Sequence, residues 1–531
     1  DYLAARGAVK PDAMGRMISL LGDAELDEGN IYEALIEACK HDVRNTWWIV
    51  DYNRQSLDAT TSDRMFTRYG EIFEAAGWTV ETLKWSKRQQ QAFAKPGGAA
   101  LQAWIESAPN DLYAALTYQG GAAWRERLTT DLAGDKAALK LIAGVDDADL
   151  ALVMTELGGH CLETILEAFA KAAEDDAPRF IIAYTVKGWR LPFAGHKDNH
   201  SGLMTPTQIA ELRGRLGVRE GGEWDVFSGL ADNELKAMKR LVETAPFAAR
   251  KDGHKVAPQV ATPSAEALLK AVEGGGEQST QAAFGKVMFE IAKGTDEFSG
   301  RVVTTSPDVT VSTNLGGFVN RRGVFHRRAH EDVFKNRRIP SAQVWAMRET
   351  GQHVELGIAE NNLFIALAAL GLSGPLFGER LFPVGTLYDP FIARGLDALN
   401  YACYQDARFL LVATPSGLTL GPEGGAHQSI GTPLIGMSQP GLDSYEPAFA
   451  DETAVLMAHA FERIQASGGG STYLRLSTRV IDQPVRADDA WRAGCVAGAY
   501  WLKPPTPDAR LALVYSGAIA PEALAAFEQL L

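Results

Sequence analysis

The sequence predicts an α/β fold made of tandem doubly wound domains with mainly parallel sheets. Two observations predict it. Short apolar runs of strand length alternate with stretches of helical periodicity. The alternation fills residues 1 to about 217 and resumes from about 278. Repeated α/β layers of this kind are covered parallel sheets.

The elements follow in order. Met17 to Leu21 reads as a buried strand and Thr46 to Val50 as a second. Between them Ile31, Ala34, Leu35 and Ala38 recur at helical spacing, which completes a β-α-β unit. Gly77 to Leu83 is a third strand, followed by a helical stretch and then the strand Arg179 to Val186. Residues 218–277 are richer in Glu, Gly, Lys and Pro and read as a linker across a surface. The second set supplies strands at Val302 to Thr305, Phe409 to Ala413 and Tyr473 to Leu476. The expected domains are therefore 1–217, 278–487 and the start of a third over 488–531. That third domain opens with a strand at Leu511 to Tyr515 and a helix marked by Pro521, Leu524, Phe527 and Leu530.

The chain has 531 residues, 46% of them hydrophobic and 22% charged, with room for more than one core. Its net charge of −14 argues against a nucleic-acid surface. No apolar run approaches the roughly 20 residues of a membrane span. Cys39, Cys161, Cys403 and Cys495 lie far apart in apolar surroundings, without metal or disulfide spacing. They are expected to be buried small side chains in a cytoplasmic protein. Asp1 is not an initiator, and Leu531 stands inside a helical pattern, so the chain reads as a fragment of a longer polypeptide.

Chemistry concentrates where strands end. Asp23, in Gly22-Asp23-Ala24-Glu25, follows the first strand, and Asn53 follows the second, 30 positions on. The β-α-β unit places both at the carboxyl ends of neighbouring parallel strands, where ligands of open α/β sheets sit. A carboxylate and an amide oxygen converging there suit a hard cation such as Mg²⁺. Glu360, in Gly357-Ile358-Ala359-Glu360, stands at a helix start, with Glu355 as a nearby competitor. Tyr388 and Phe391 are aromatic at i, i+3. His196 and His200 stand in a polar loop after the strand ending near Val186, and His427 in another after Ala413. Imidazole is the side chain best suited to move protons at neutral pH. The pair His196 and His200 has no zinc spacing on a helix, so a metal-hydrolase site is not expected there.

Taken in order, these segments resemble the thiamine-diphosphate superfamily of transketolases and 2-oxo acid dehydrogenase E1 components. Within it the likeness is to the homodimeric, single-chain pyruvate dehydrogenase E1 component. It rests on Gly22 to Glu28, Asn53 to Asp58, Ile72 to Trp78, Gly121 to Glu126, Gly158 to His160 and Thr185 to Trp189. The resemblance runs through the whole chain and implies that the N-terminal part of the first domain and most of the C-terminal domain are absent.

The resemblance implies two thiamine-diphosphate-binding domains. Gly22, Asp23, Ala24 and Glu25 would form the diphosphate loop, and Asp23, Asn53 and the Gln55 backbone would hold Mg²⁺. Glu360 would activate the cofactor, Tyr388 and Phe391 would flank its pyrimidine, and Asp308 would line the site. His200 would belong to a substrate-gating loop with His196 close by, and His427 would act as an acid/base or substrate-binding residue. One subunit of a homodimer would supply Asp23 and Asn53, and its partner Glu360.

The implied reaction is oxidative decarboxylation of pyruvate or a slightly larger 2-oxo acid, such as 2-oxobutyrate. The acyl group would pass to a lipoyl-bearing E2, the step from glycolysis to acetyl-CoA. Two alternatives stay open. In the transketolase alternative, Asp308, Ser312 and Arg479 would grip a sugar phosphate, although Pro415 and Glu423 replace residues that transketolases use. A catalytically silent paralogue is suggested by Ala24 in place of a motif glycine and by Asp51 in place of the usual Asn.

Overall fold

The computed structural model describes residues 1–10, 14–57, 59–249 and 254–530; Asp58 of the Asn53 loop lies outside them. The chain forms two compact units. One is Gly15–Asp252. The other is Gly253–Leu531 together with Asp1–Met14.

The first unit is built on four parallel strands, β1 (Met17–Gly22), β2 (Thr46–Tyr52), β3 (Thr79–Leu83) and β4 (Arg179–Tyr184). They lie in the order β1-β2-β4-β3. The helix Gly29–Lys40 joins β1 to β2, with Leu35 buried at its centre. β4 is buried along its whole length, as its continuous run of Phe180, Ile181 and Ile182 requires. The expected strand at Met17 to Leu21 forms, but it is not buried. Met17, Ile18 and Leu20 are 69%, 49% and 77% exposed. Among the described strands β1 pairs with β2 alone, which leaves these apolar side chains exposed.

The second unit carries β5 (Glu277–Gln278), β6 (Val302–Pro307), β7 (Val324–Phe325), β8 (Met347–Arg348), β9 (His353–Leu356), β10 (Phe382–Leu387), β11 (Leu410–Ala413), β12 (Leu442–Tyr445), β13 (Ser471–Arg475) and β14 (Ile481–Asp482). Eight of these form one sheet in the order β12-β13-β11-β10-β6-β9-β7-β8, and each described pairing in it is parallel. β6, β10, β11 and β13 are fully buried. β5 and β14 pair antiparallel in a small ribbon.

The span 218–277 contains the helices Asp232–Thr244 and Ala265–Leu269. The strand expected at Leu511 to Tyr515 does not form, and Leu511 and Val514 are 69% and 94% exposed. An extended run becomes a strand only where a neighbour takes its backbone hydrogen bonds, and no described strand lies alongside it. The helix after it does form, as Ala520–Leu530. All four cysteines are free thiols; Cys161 and Cys495 are buried, Cys403 is half-buried, and Cys39, expected inside, is exposed.

Candidate functional site

In the first unit the candidate residues cluster at the carboxyl ends of three adjacent strands. Asp23 follows β1, Asn53 follows β2, and the loop with His196 and His200 follows β4. Asp23 is 2% exposed, and its carboxylate accepts the Arg54 backbone N–H at 2.7 Å. Burial pushes its pKa up to about 6; the charge of Asp51 adds to this and the Arg54 N–H opposes it. Asn53 Oδ1 accepts the Gln55 N–H at 2.9 Å, and the buried Gln55 side chain donates to the Gly195 carbonyl at 2.9 Å. Thr185 Oγ1 donates to the Asp51 carboxylate. Ala24 lies in the 3₁₀ turn Asp23–Asp27 with ordinary backbone angles, so that turn needs no glycine there. Glu25 turns back to accept the Gly22 N–H at 3.0 Å.

His196 Nδ1 accepts the Asp198 N–H at 3.1 Å, and its ring lies 4.6 Å from Tyr118. His200 closes the turn Lys197–His200 and is exposed. The loop is pinned by Asn199, which donates to the Lys187 carbonyl at 2.6 Å, and by Lys187 Nζ, which donates to the Ser56 carbonyl at 2.8 Å.

His160 is a residue to which the sequence attached no role. Its Nε2 accepts the Val186 N–H at 2.9 Å, and its ring stacks on Trp189 at 4.1 Å. Burial lowers its pKa to about 4 against the opposing charge of Asp51, with smaller help from the Arg190 and Arg54 guanidinium groups, so it is a neutral acceptor. The signal was the pair of glycines before it. A Cβ on Gly158 would meet the Leu83 carbonyl oxygen at 2.4 Å, and one on Gly159 the Tyr184 oxygen at 2.6 Å.

In the second unit Asp308, Glu360, Tyr388 and His427 follow β6, β9, β10 and β11, which are four consecutive strands of the sheet. Glu360 opens the helix Glu360–Gly371 and is 4% exposed; Arg394 donates to its carboxylate at 2.9 Å. The Arg394 guanidinium lies 4.0 Å over the Phe391 ring. Tyr388 and Phe391 are near parallel, at 17° with centroids 6.0 Å apart. His427 approaches Phe391 at 5.5 Å and Tyr388 at 6.3 Å, and its buried Nδ1 has no hydrogen-bond partner among the described residues. The competitor Glu355 is engaged by Thr310 Oγ1 at 2.6 Å and by His353. Asp308 is exposed and held in a left-handed conformation, φ +61°.

A buried clasp under the aromatic pair was not visible in the sequence. Asp389 lies between Tyr388 and Phe391 and is fully buried. It accepts from Thr432 Oγ1 and Tyr473 Oη at 2.6 Å each, from Arg475 at 3.1 and 3.2 Å, and from Ser429. Arg475 also pairs with Glu446 at 2.9 Å. Arg479, a candidate phosphate anchor, is taken up by Glu522 at 2.6 and 2.9 Å. Among the described residues no group of three or more His, Cys, Asp and Glu side chains could hold a metal.

The chain is similar to known proteins over most of its length. Residues 267–479 match the pyruvate dehydrogenase E1 component middle domain. The pyruvate dehydrogenase E1 component of Corynebacterium glutamicum is 24% identical over 94% of this chain and 55% of its own length. That of Escherichia coli K12 is 25% identical over 90% of the chain and 54% of its own length. The chain thus spans little more than half the length of these curated relatives. A mutant transketolase from Pichia stipitis superposes with a TM-score of 0.60 at 17% identity, over the whole chain and 66% of that structure. Transketolase from Campylobacter jejuni gives 0.55 at 16% identity, over 92% of the chain and 61% of that structure. These structures share the fold. The matched middle domain and the sequence relatives support membership of the superfamily of transketolases and 2-oxo acid dehydrogenase E1 components.

Proposed function

We propose that this chain belongs to a cytoplasmic, homodimeric pyruvate dehydrogenase E1 component. It would decarboxylate pyruvate, or a closely similar 2-oxo acid, and pass the acyl group to a lipoyl-bearing E2. The observation that carries the reading is the row of Asp308, Glu360, Tyr388 and His427 beyond four consecutive parallel strands, with Glu360 buried at a helix start.

The residues fit the cofactor. Asp23 is a buried carboxylate whose charge its neighbours only partly offset, which is the kind of donor a divalent cation takes. Asp23, Asn53 and the Gln55 carbonyl would hold Mg²⁺, and the turn Gly22 to Glu25 would lie along the diphosphate. Tyr388 and Phe391 offer flat faces to a pyrimidine. Thiamine diphosphate, when bound, supplies the electron sink that lets carbon dioxide leave. Glu360 would share a proton with the pyrimidine N1′. His427 and His200 would hand protons to and from substrate oxygens, with His196 ordering the loop. Asp308 would line the substrate side. The units Gly15–Asp252 and Gly253–Leu531 would carry the diphosphate and pyrimidine ends respectively, with Glu360 contributed across a subunit interface.

The engagement of Arg479 by Glu522 favours a 2-oxo acid over a sugar phosphate. The test is to incubate the full chain with thiamine diphosphate, Mg²⁺ and a lipoyl domain, and to offer pyruvate, 2-oxobutyrate and a ketose phosphate in turn. Acylation of the lipoyl domain from pyruvate or 2-oxobutyrate is expected. Ketol transfer without acylation would make the protein a transketolase, and absence of cofactor binding would make it a silent paralogue.

A further inference from the structure

The first unit contains a cavity of about 170 Å³ that the proposed chemistry does not use. It opens at the carboxyl ends of β2, β4 and β3, beside the strand ends that carry Asp23 and Asn53. Tyr52 ends β2, Tyr184 ends β4, and Lys84 follows the last residue of β3. It is smaller than the roughly 300–1,000 Å³ typical of drug-sized sites. Its size therefore suits a one-ring or short branched molecule.

The cavity combines aromatic walls with three cationic side chains, Arg54, Arg64 and Lys84. Lys84 Nζ is ringed by Trp85, Tyr184 and Phe66, at 4.7, 5.5 and 5.6 Å from their centroids. Burial lowers its pKa, the charge of the Glu106 carboxylate opposes this, and those of Arg54 and Arg64 add to it. Ring faces recover part of the cost of desolvating an ammonium, and an anion would recover more. The Arg54 guanidinium lies 4.6 Å over Tyr113, and its buried Nε has no partner among the described residues. Arg54 and Arg64 both hold left-handed backbone angles, φ +67° and +61°, a strain that persists where surrounding structure fixes a functional conformation.

Charge selects the ligand. Asp63 and Glu106 also line the cavity, so three cations face two carboxylates and leave one net positive charge. That balance suits a monoanion and disfavours a phosphate dianion, which the two acids would repel. We propose that this cavity is a binding site for a small planar monocarboxylate, its carboxylate held between Lys84 and the two arginines and its apolar body against the aromatic walls. The site is coupled to the Asp23 cluster through Arg54. The Arg54 backbone N–H bonds the Asp23 carboxylate, while its side chain lines the cavity. Arg54 and Tyr113 also line a small crevice that continues to Asn53 and Gln55.

The test is equilibrium calorimetry on the full chain with benzoate, benzamide and inorganic phosphate, with no turnover needed. Benzoate is expected to bind one site per chain. Benzamide, which keeps the ring and loses the charge, is expected to bind at least about tenfold more weakly. Lys84→Met should weaken benzoate by about tenfold or more, and Arg64→Gln, at an exposed position, by a few-fold. Absence of saturable benzoate binding would overturn the proposal. So would equal affinity for benzamide, tighter binding of phosphate, or benzoate affinity unchanged in both variants.

Discussion

The two candidate clusters sit at the same place on similar sheets, yet they are finished to different degrees. In the second unit the carboxylates Glu360 and Asp389 are engaged by side chains of the fold, while the buried His427 Nδ1 has no partner among the described residues. Glu360 has Arg394, Asp389 has four side-chain partners, and the aromatic pair is fixed on a buried base. In the first unit the Arg54 N–H and, more weakly, the Ala24 N–H and the Arg54 charge do not offset the burial of Asp23, and Asp51 adds repulsion. One cluster is a preorganised surface and the other is a charge deficit that a cation would fill. Preorganised groups cost little reorganisation at the moment of reaction. A charge deficit makes ligand binding dependent on pH and metal.

The largest expected effect breaks the finished side at its chemistry. Glu360→Gln removes the charge, keeps the side-chain shape and leaves the half-exposed Arg394 free to meet solvent. Decarboxylation is expected to fall by about 10²–10⁴-fold, the range of a lost general acid–base group. Thermal unfolding should change little. A turnover assay with saturating thiamine diphosphate checks this, and wild-type turnover would refute the role of Glu360.

The next effect falls on the clasp. Asp389→Leu leaves the Arg475 guanidinium, 4% exposed, without its buried carboxylate. Removing one partner of a buried pair costs about 3–5 kcal/mol. Denaturant unfolding of the second unit should move by about that amount, and Glu446, which also pairs with Arg475, sets the lower end. A midpoint within error of the wild type would mean that Asp389 does not hold the aromatic pair in place.

The contrast also explains what was legible in the sequence. Strands β2, β4, β6, β11 and β13 could be read because covered parallel strands are largely apolar runs, whereas β3, Thr79–Leu83, is a mixed edge strand. β1 was read as a strand and misjudged in depth, since among the described strands it pairs with β2 alone. Leu511 to Tyr515 was misread because an apolar run states propensity and pairing needs a neighbour. Candidate residues that follow strand ends, such as Asp23, Asn53 and Glu360, were visible because topology alone locates them. The side chains that engage them were hidden. Arg394 lies 34 positions from Glu360, and Arg475 lies 86 from Asp389, so nothing local joins them. His160 was hidden because its role depends on the Val186 backbone and the Trp189 ring.

The smallest expected effect tests the unfinished side. Asp23 has its pKa raised from an ordinary 3.8 to about 6, so the folded chain holds that proton to higher pH than the unfolded chain. Its contribution to stability is therefore fully present below pH 3.8 and lost as pH rises through 6. By pH 7 the ionised group costs the metal-free fold on the order of 3 kcal/mol. A cation at Asp23 removes that cost and competes with the proton below pH 6. Mg²⁺-dependent binding of thiamine diphosphate should weaken by about tenfold between pH 7.5 and pH 5, as the ionised fraction of Asp23 falls. Titrations at the two pH values check this, with Asp23→Asn as the reference that should lose both the metal dependence and the pH dependence. Binding that stays level between those pH values would mean that the cation is held elsewhere, and the two clusters would no longer differ in the way their hydrogen bonds imply.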